Sequence, residues 1–112
     1  MCAEPRDDVG PVEILAATFP GGSVTGAPKI RAMQILDGLE PVRRGPYTGS
    51  AGFMGYDGAM CLNILIRTLV REGSSIRYHV GGGIVADSDP EAEYEETLAK
   101  GAALRRAVEG DG

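Results

Sequence analysis

Glu93, Glu96 and Lys100 are the residues of this chain whose types and spacing most directly suggest chemistry. On a helix, positions three apart share a face, and Lys100, seven beyond Glu93, lies close to two turns further along that face. Two carboxylates converging beside one ammonium suit a magnesium ion holding an anionic ligand, because Mg²⁺ prefers oxygen and keeps several waters. The same residues have a plainer reading. Acidic side chains stabilise helix N-termini through the helix dipole, and Glu96 with Lys100 makes an ordinary i,i+4 surface pair. Asp87, Asp89, Glu91, Glu93, Glu95 and Glu96 all fall in this short stretch, and Glu91 and Glu95 point away from the shared face.

Three other places carry reactive groups. Gly21 to Lys29 is rich in Gly and Pro and runs into a helix, so exposed backbone N–H groups there could bind an anion. Ser23 and Thr25 could donate to that anion or simply cap the helix. Gly21 and Gly26 are spaced like the glycines of a nucleotide-binding P-loop, but that motif needs Lys directly after the second Gly. Ala27-Pro28 intervenes here, which excludes it. Arg67 lies in Leu62-Asn-Ile-Leu-Ile-Arg-Thr-Leu69, apolar on both faces. A buried guanidinium there needs a carboxylate, either an internal Glu or a ligand, unless it sits at the open end of a sheet. His79 reads as a structural histidine. The Tyr47 hydroxyl, after Gly45-Pro46, is placed either to reach a ligand or only to pack.

The elements that must position these groups follow from periodicity. Residues 1–10 are polar and expected to form a disordered tail, with 11–110 a single unit. Pro11 to Phe19 has helical spacing, residues 19–29 read as irregular loop, and Ile30 to Leu39 reads as a helix with one apolar face. Residues 48–56 predict a strand, Asp57-Gly58 a hairpin turn, Cys61–Val70 a buried strand and Ile76–Val85 a third strand, together a meander. Asp89-Pro90 opens a last helix to about Val108, with Asp as cap and Pro at the first position. The fold class is α+β, antiparallel strands with flanking helices.

Composition narrows the function classes. At 112 residues there is room for one small core. A net charge of −5, with 5% aromatic residues and no Trp, disfavours nucleic-acid binding. No apolar stretch is long enough for a membrane span, and the N-terminus has no apolar secretory core. Two cysteines, one in the polar tail and one in an apolar run, make no disulfide framework, so a cytoplasmic location is expected.

Taken in order, five segments resemble the chorismate-binding enzymes. They are Pro20-Gly-Gly-Ser-Val-Thr-Gly-Ala-Pro-Lys29, Arg43-Arg-Gly-Pro-Tyr-Thr-Gly49, Asn63-Ile-Leu-Ile-Arg-Thr68, Gly81-Gly-Gly-Ile-Val-Ala-Asp-Ser88 and Glu91-Ala-Glu-Tyr-Glu-Glu-Thr97. The likeness covers about residues 12–108. That family includes anthranilate, aminodeoxychorismate, isochorismate and salicylate synthases. The first segment and Gly81-Gly82-Gly83 resemble the aminodeoxychorismate branch. Anthranilate synthases more often read Pro-Ala-Gly-Thr-x-Ser-Gly-Ala-Pro-Lys and tend to place Ala between the glycines.

The resemblance implies that Glu96 is a direct Mg²⁺ ligand and Glu93 a second carboxylate, the metal holding the ring carboxylate of chorismate. It implies that Arg67 and Tyr47 bind the enolpyruvyl carboxylate with help from N–H groups near Gly81 and Gly83. Ser23 and Lys100 would line the pocket. It further implies a fragment of a larger fold. The family's upstream half carries a histidine, another metal-binding glutamate, an acid–base glutamate and, in the aminodeoxychorismate branch, a nucleophilic lysine. None has a counterpart here, so no catalytic residue is assigned to this chain. The implied reaction is amination of chorismate at C4 for folate synthesis. Its implied partners are a glutamine amidotransferase component II and a complementary upstream synthase half. The alternatives are a fragment of anthranilate synthase component I, or a non-catalytic piece that folds only with a complementary chain.

Overall fold

The computed structural model describes Glu4 and residues 6–110. Helix α1 (Pro11–Thr18) begins with Pro at its first turn, and the Glu13 carboxylate reaches back to accept from Gly10 N–H at 3.0 Å. Ahead of it, Val9 N–H donates to the Arg6 carbonyl at 3.0 Å, closing a turn. Residues 1–3 and 5 of the expected tail, Cys2 among them, lie outside the described residues.

The Gly-rich stretch after α1, expected from its composition to be irregular, is not irregular throughout. It contains a single helical turn, α2 (Gly22–Thr25), which ends where Gly26 takes a positive φ of 91°. Thr25 is buried, and its hydroxyl is satisfied by the Gly21 carbonyl at 3.1 Å. Helix α3 (Lys29–Leu39) follows and packs against α2.

The predicted meander is replaced by two separate antiparallel hairpins, β1 (Ser50–Met54) with β2 (Met60–Ile64) and β3 (Val70–Glu72) with β4 (Ser75–Arg77). Asp57-Gly58 makes the first turn as expected, with Gly58 at φ 86° and Asp57 Oδ1 accepting from Ala59 N–H at 3.1 Å. The register pairs Gly52 with Leu62 and Phe53 with Cys61. The expected strand over 61–70 stops at Ile64. Arg67 adopts a left-handed φ of 53°, which extended structure does not admit, and the Thr68 hydroxyl turns back onto the Ile66 carbonyl at 3.0 Å. The third strand is likewise short, because residues 78–89 leave the ladder after Arg77.

Helix α4 (Pro90–Glu109) is capped as its sequence demands. The Asp89 side chain accepts from Ala92 N–H at 2.9 Å, Pro90 opens the helix, and Gly110 closes it at φ 78°. Tyr78 and Val80 pack on α4 at the buried Gly101. No described helix is long and apolar enough to cross a membrane.

No hydrophobic side chain among the described residues is fully buried, although the chain is 43% apolar. The accessible surface is 9292 Å², against about 5,900 Å² for a compact monomer of this mass. The radius of gyration is 17.2 Å, against about 13 Å for a compact domain of this length. Val12, Ile30, Leu39, Phe53, Ile84 and Val85 stand exposed. The long apolar runs that suggested buried strands therefore find no second layer among the described residues.

Candidate functional site

The segment 79–83 crosses the face of α4 without making a strand, and α4 answers with charged groups. The Lys100 ammonium donates to the Gly81 carbonyl at 3.3 Å and pairs with the Glu96 carboxylate. Glu93 is fixed from its other side. The Ser88 hydroxyl donates to Glu93 Oε1 at 2.6 Å and accepts from Val85 N–H at 3.1 Å. All three side chains converge on the backbone of Gly82. A Cβ there would lie 3.1 Å from Glu93 Oε2, 3.7 Å from Glu96 Oε1 and 3.8 Å from Lys100 Nζ. This is a small cradle of two carboxylate oxygens and one ammonium, open because residue 82 has no side chain.

Lys100 and Glu96 are 37% and 54% exposed, and an ion pair at such exposure contributes little. Two carboxylate oxygens are a fitting partial donor set for Mg²⁺, which fills its remaining positions with waters or ligand oxygens. Among the described residues no group of three or more His, Cys, Asp or Glu is close enough to hold a metal unaided. Such an ion would need oxygen ligands from outside α4.

Tyr47 reaches the same place from the middle of the sequence. A Cβ on Gly81 would lie 3.0 Å from the Tyr47 hydroxyl oxygen, so that hydroxyl rests against the Gly81 backbone, one residue from the cradle. The Tyr47 ring stacks on His79, with centroids 5.6 Å apart and planes at 17°. Tyr47 is also held by its backbone, whose N–H donates to the Arg44 carbonyl at 3.2 Å.

Behind Tyr47, Arg44 and Glu40 form a half-buried ion pair, 26% and 34% exposed. The hydrogen bond from Arg44 holds the Glu40 carboxyl below its ordinary value, against the opposing effect of burial, with help from the charges of Arg44 and His79. The same bond raises Arg44, again against burial. Two clefts meet at Arg44 and Tyr47. One, of ≈660 Å³, is lined by Phe19, Met33, Leu36, Glu40, Arg44 and Tyr47. The other, of ≈100 Å³, is lined by Arg44, Tyr47, Thr68, Glu72, Arg77 and His79. Neither includes the α4 carboxylates.

Of the residues singled out from sequence, the fold brings together Tyr47, Gly81, Glu93, Glu96 and Lys100. Gly83 adjoins them, with open space where a Cβ would be. Ser23 lies exposed on α2 and Arg67 lies exposed beyond the end of β2, so the buried guanidinium expected there is not found. No hydrogen bond or ion pair joins either to the cradle among the described residues. Gly82 and Ser88 were not anticipated. Ser88 sits just before the Asp89 cap, where a hydroxyl is easily read as part of the helix start.

Comparison with known proteins places these features in a family. The sequence profile of chorismate binding enzymes matches residues 2–106. Anthranilate synthase component 1 of Haloarcula marismortui is 56% identical over 104 residues, which is 93% of this chain and 21% of the relative. Aminodeoxychorismate synthase of Streptomyces griseus is 51% identical over 109 residues, 97% of this chain and 15% of the relative. Aminodeoxychorismate synthase component 1 of Bacillus subtilis is 47% identical over 106 residues, 95% of this chain and 23% of the relative. The chain thus spans about a fifth of the length of these relatives, and both branches match at similar identity.

Proposed function

The chain belongs to the chorismate-binding enzyme family, and on that premise we propose that it supplies the metal- and carboxylate-holding part of a site that aminates chorismate at C4. The convergence of Glu93, Glu96 and Lys100 on Gly82, with the Tyr47 hydroxyl one residue away, carries this reading. Glu93 and Glu96 would hold Mg²⁺, and the ion when bound would neutralise the ring carboxylate of the substrate. Ser88 keeps Glu93 turned toward the cradle. Tyr47 would donate its hydroxyl to the enolpyruvyl carboxylate, with N–H groups near Gly81 and Gly83, and Arg67 would supply a guanidinium to the same group. Lys100 and Ser23 would face the bound dianion. A net acidic protein needs such fixed positive groups and donors to hold a substrate with two carboxylates.

This chain's residues thus bind and orient. Proton transfer and activation at C4 fall to groups outside it, and ammonia comes from a glutamine amidotransferase partner. The wording of Pro20 to Lys29 and the uninterrupted Gly81-Gly82-Gly83 favour aminodeoxychorismate as product. The sister reaction, which goes on to release pyruvate, is the alternative, since anthranilate and aminodeoxychorismate synthases match this chain at similar identity. The absence of a buried core among the described residues supports a further element of the proposal. The exposed apolar faces are to be covered by a complementary synthase half, without which the chain is inactive.

Calorimetric titration of chorismate into the chain tests the binding claim, first alone and then with the upstream portion of a full-length relative. Heat that requires Mg²⁺, and is lost on chelation and in Glu96→Gln, supports it. No chorismate heat in either setting refutes it.

A further inference from the structure

The cradle on α4 uses Tyr47, but nothing in the proposed binding scheme uses Arg44. Its guanidinium nonetheless ties together three segments, one of them twenty residues away. Nε donates to both Glu40 carboxylate oxygens at 3.0 and 2.8 Å, and Nη2 to Oε1 at 2.5 Å. Nη1 donates to the Val24 carbonyl at 3.0 Å and to the Thr48 hydroxyl at 3.1 Å. The end of α3, the turn of α2 and the approach to β1 therefore meet on one planar group. That plane also lies by Tyr47, with Cζ 5.9 Å from the ring centroid. A lysine could replace the charge but neither the fork nor the flat face.

Tyr47 needs such support. Its backbone bond to Arg44 sets where the side chain starts and leaves the ring free to turn about its own torsions. Contacts with the ring itself decide where the hydroxyl ends. Those contacts are His79, stacked on it, and the Arg44 guanidinium, while the hydroxyl rests on Gly81. Glu40, Val24 and Thr48 fix the guanidinium, the guanidinium and His79 fix the ring, and the ring fixes the hydroxyl.

We propose that Arg44 is a positioning residue that acts through Tyr47, holding the ring on His79 so that its hydroxyl stands at the Gly81 backbone. The functional weight of this rests on reading Tyr47 as a carboxylate-binding group. His79 is the only histidine in the chain, so its ring protons are read by NMR without ambiguity. The wild-type chain is expected to show contacts between the His79 and Tyr47 rings. Arg44→Lys is expected to lose them while the contacts between Phe53 and Cys61 in the first hairpin persist, and the exposed Arg43→Lys is expected to lose neither. Chorismate affinity supplies the second readout. Arg44→Lys is expected to weaken it about tenfold, as for one misplaced hydrogen bond, and to have no further effect in a Tyr47→Phe background.

Ring contacts absent from the wild type or unchanged in Arg44→Lys would overturn the proposal. So would their loss together with the hairpin contacts, or additive losses of affinity in the double variant. A chain that binds no chorismate but loses the ring contacts in Arg44→Lys upholds the positioning role, and the failure then belongs to the chorismate reading alone.

Discussion

Gly82→Ala places a methyl group in the cradle and nowhere else. Its Cβ would stand 3.1 Å from Glu93 Oε2, a few tenths of an ångström inside ordinary contact, and 3.7 Å from Glu96 Oε1. Glu93 cannot swing away freely, because Ser88 holds its other oxygen at 2.6 Å. The result is a carboxylate displaced by a few tenths of an ångström and a carbon atom where a cation or carboxylate would approach. Since a 1 Å misplacement costs on the order of 10²-fold, this smaller one is expected to weaken Mg²⁺-dependent chorismate binding about tenfold, roughly 1.4 kcal/mol. Gly82 does not use a left-handed φ, so alanine fits its backbone. Thermal stability is therefore expected to change by no more than about 0.5 kcal/mol. Calorimetry with and without Mg²⁺, beside a melting curve, reads both quantities. Unchanged affinity, or a loss of affinity matched by a fall in stability, would refute the assignment of the cradle.

Other substitutions test the scaffold. At Gly52 a Cβ would collide with the carbonyl of Cys61 and come within 2.9 Å of the Leu62 Cα, so Gly52→Ala is expected to open the first hairpin, read as loss of Phe53–Cys61 cross-strand contacts by NMR. At Gly101 the added methyl would meet Val80 at 3.6 Å, an ordinary contact, so Gly101→Ala is expected to stabilise α4 by about 0.5–1 kcal/mol, seen as greater helical ellipticity and a raised melting temperature. Acid should release the Arg44 clasp. Because Arg44 lowers the Glu40 carboxyl below its ordinary 4.5, the stabilisation is fully present above that pH and is lost as pH falls through the lowered value, so the His79–Tyr47 ring contacts should fade there, while in Glu40→Gln this pH dependence should be absent.

The parts of this molecule set by near neighbours in sequence were legible. Asp89-Pro90 announced α4, Asp57-Gly58 the first turn, and the spacing of Glu93, Glu96 and Lys100 a shared face. These depend on local geometry, and the structure follows it. What depends on distant partners was not legible. The run from Cys61 to Val70 has the composition of a buried strand, yet Arg67 turns left-handed within it and no second layer among the described residues covers it. Gly82 was one glycine of three until α4 was laid against it. Ser88 gave no signal separable from helix capping. The bond from Arg44 to the Val24 carbonyl spans twenty residues, and no periodicity foretells it.

The central claim is that this chain carries the metal- and carboxylate-holding part of a chorismate-aminating site whose catalytic groups lie elsewhere. Its most direct test is to supply chorismate, Mg²⁺ and ammonium to the chain alone and to the chain mixed with a separately produced upstream half, and to identify the products by mass. The account predicts aminodeoxychorismate only when both parts are present, and none when the chain carries Glu96→Gln. Product from the 112-residue chain by itself would contradict it, because the reacting groups would then lie among residues assigned here only to binding.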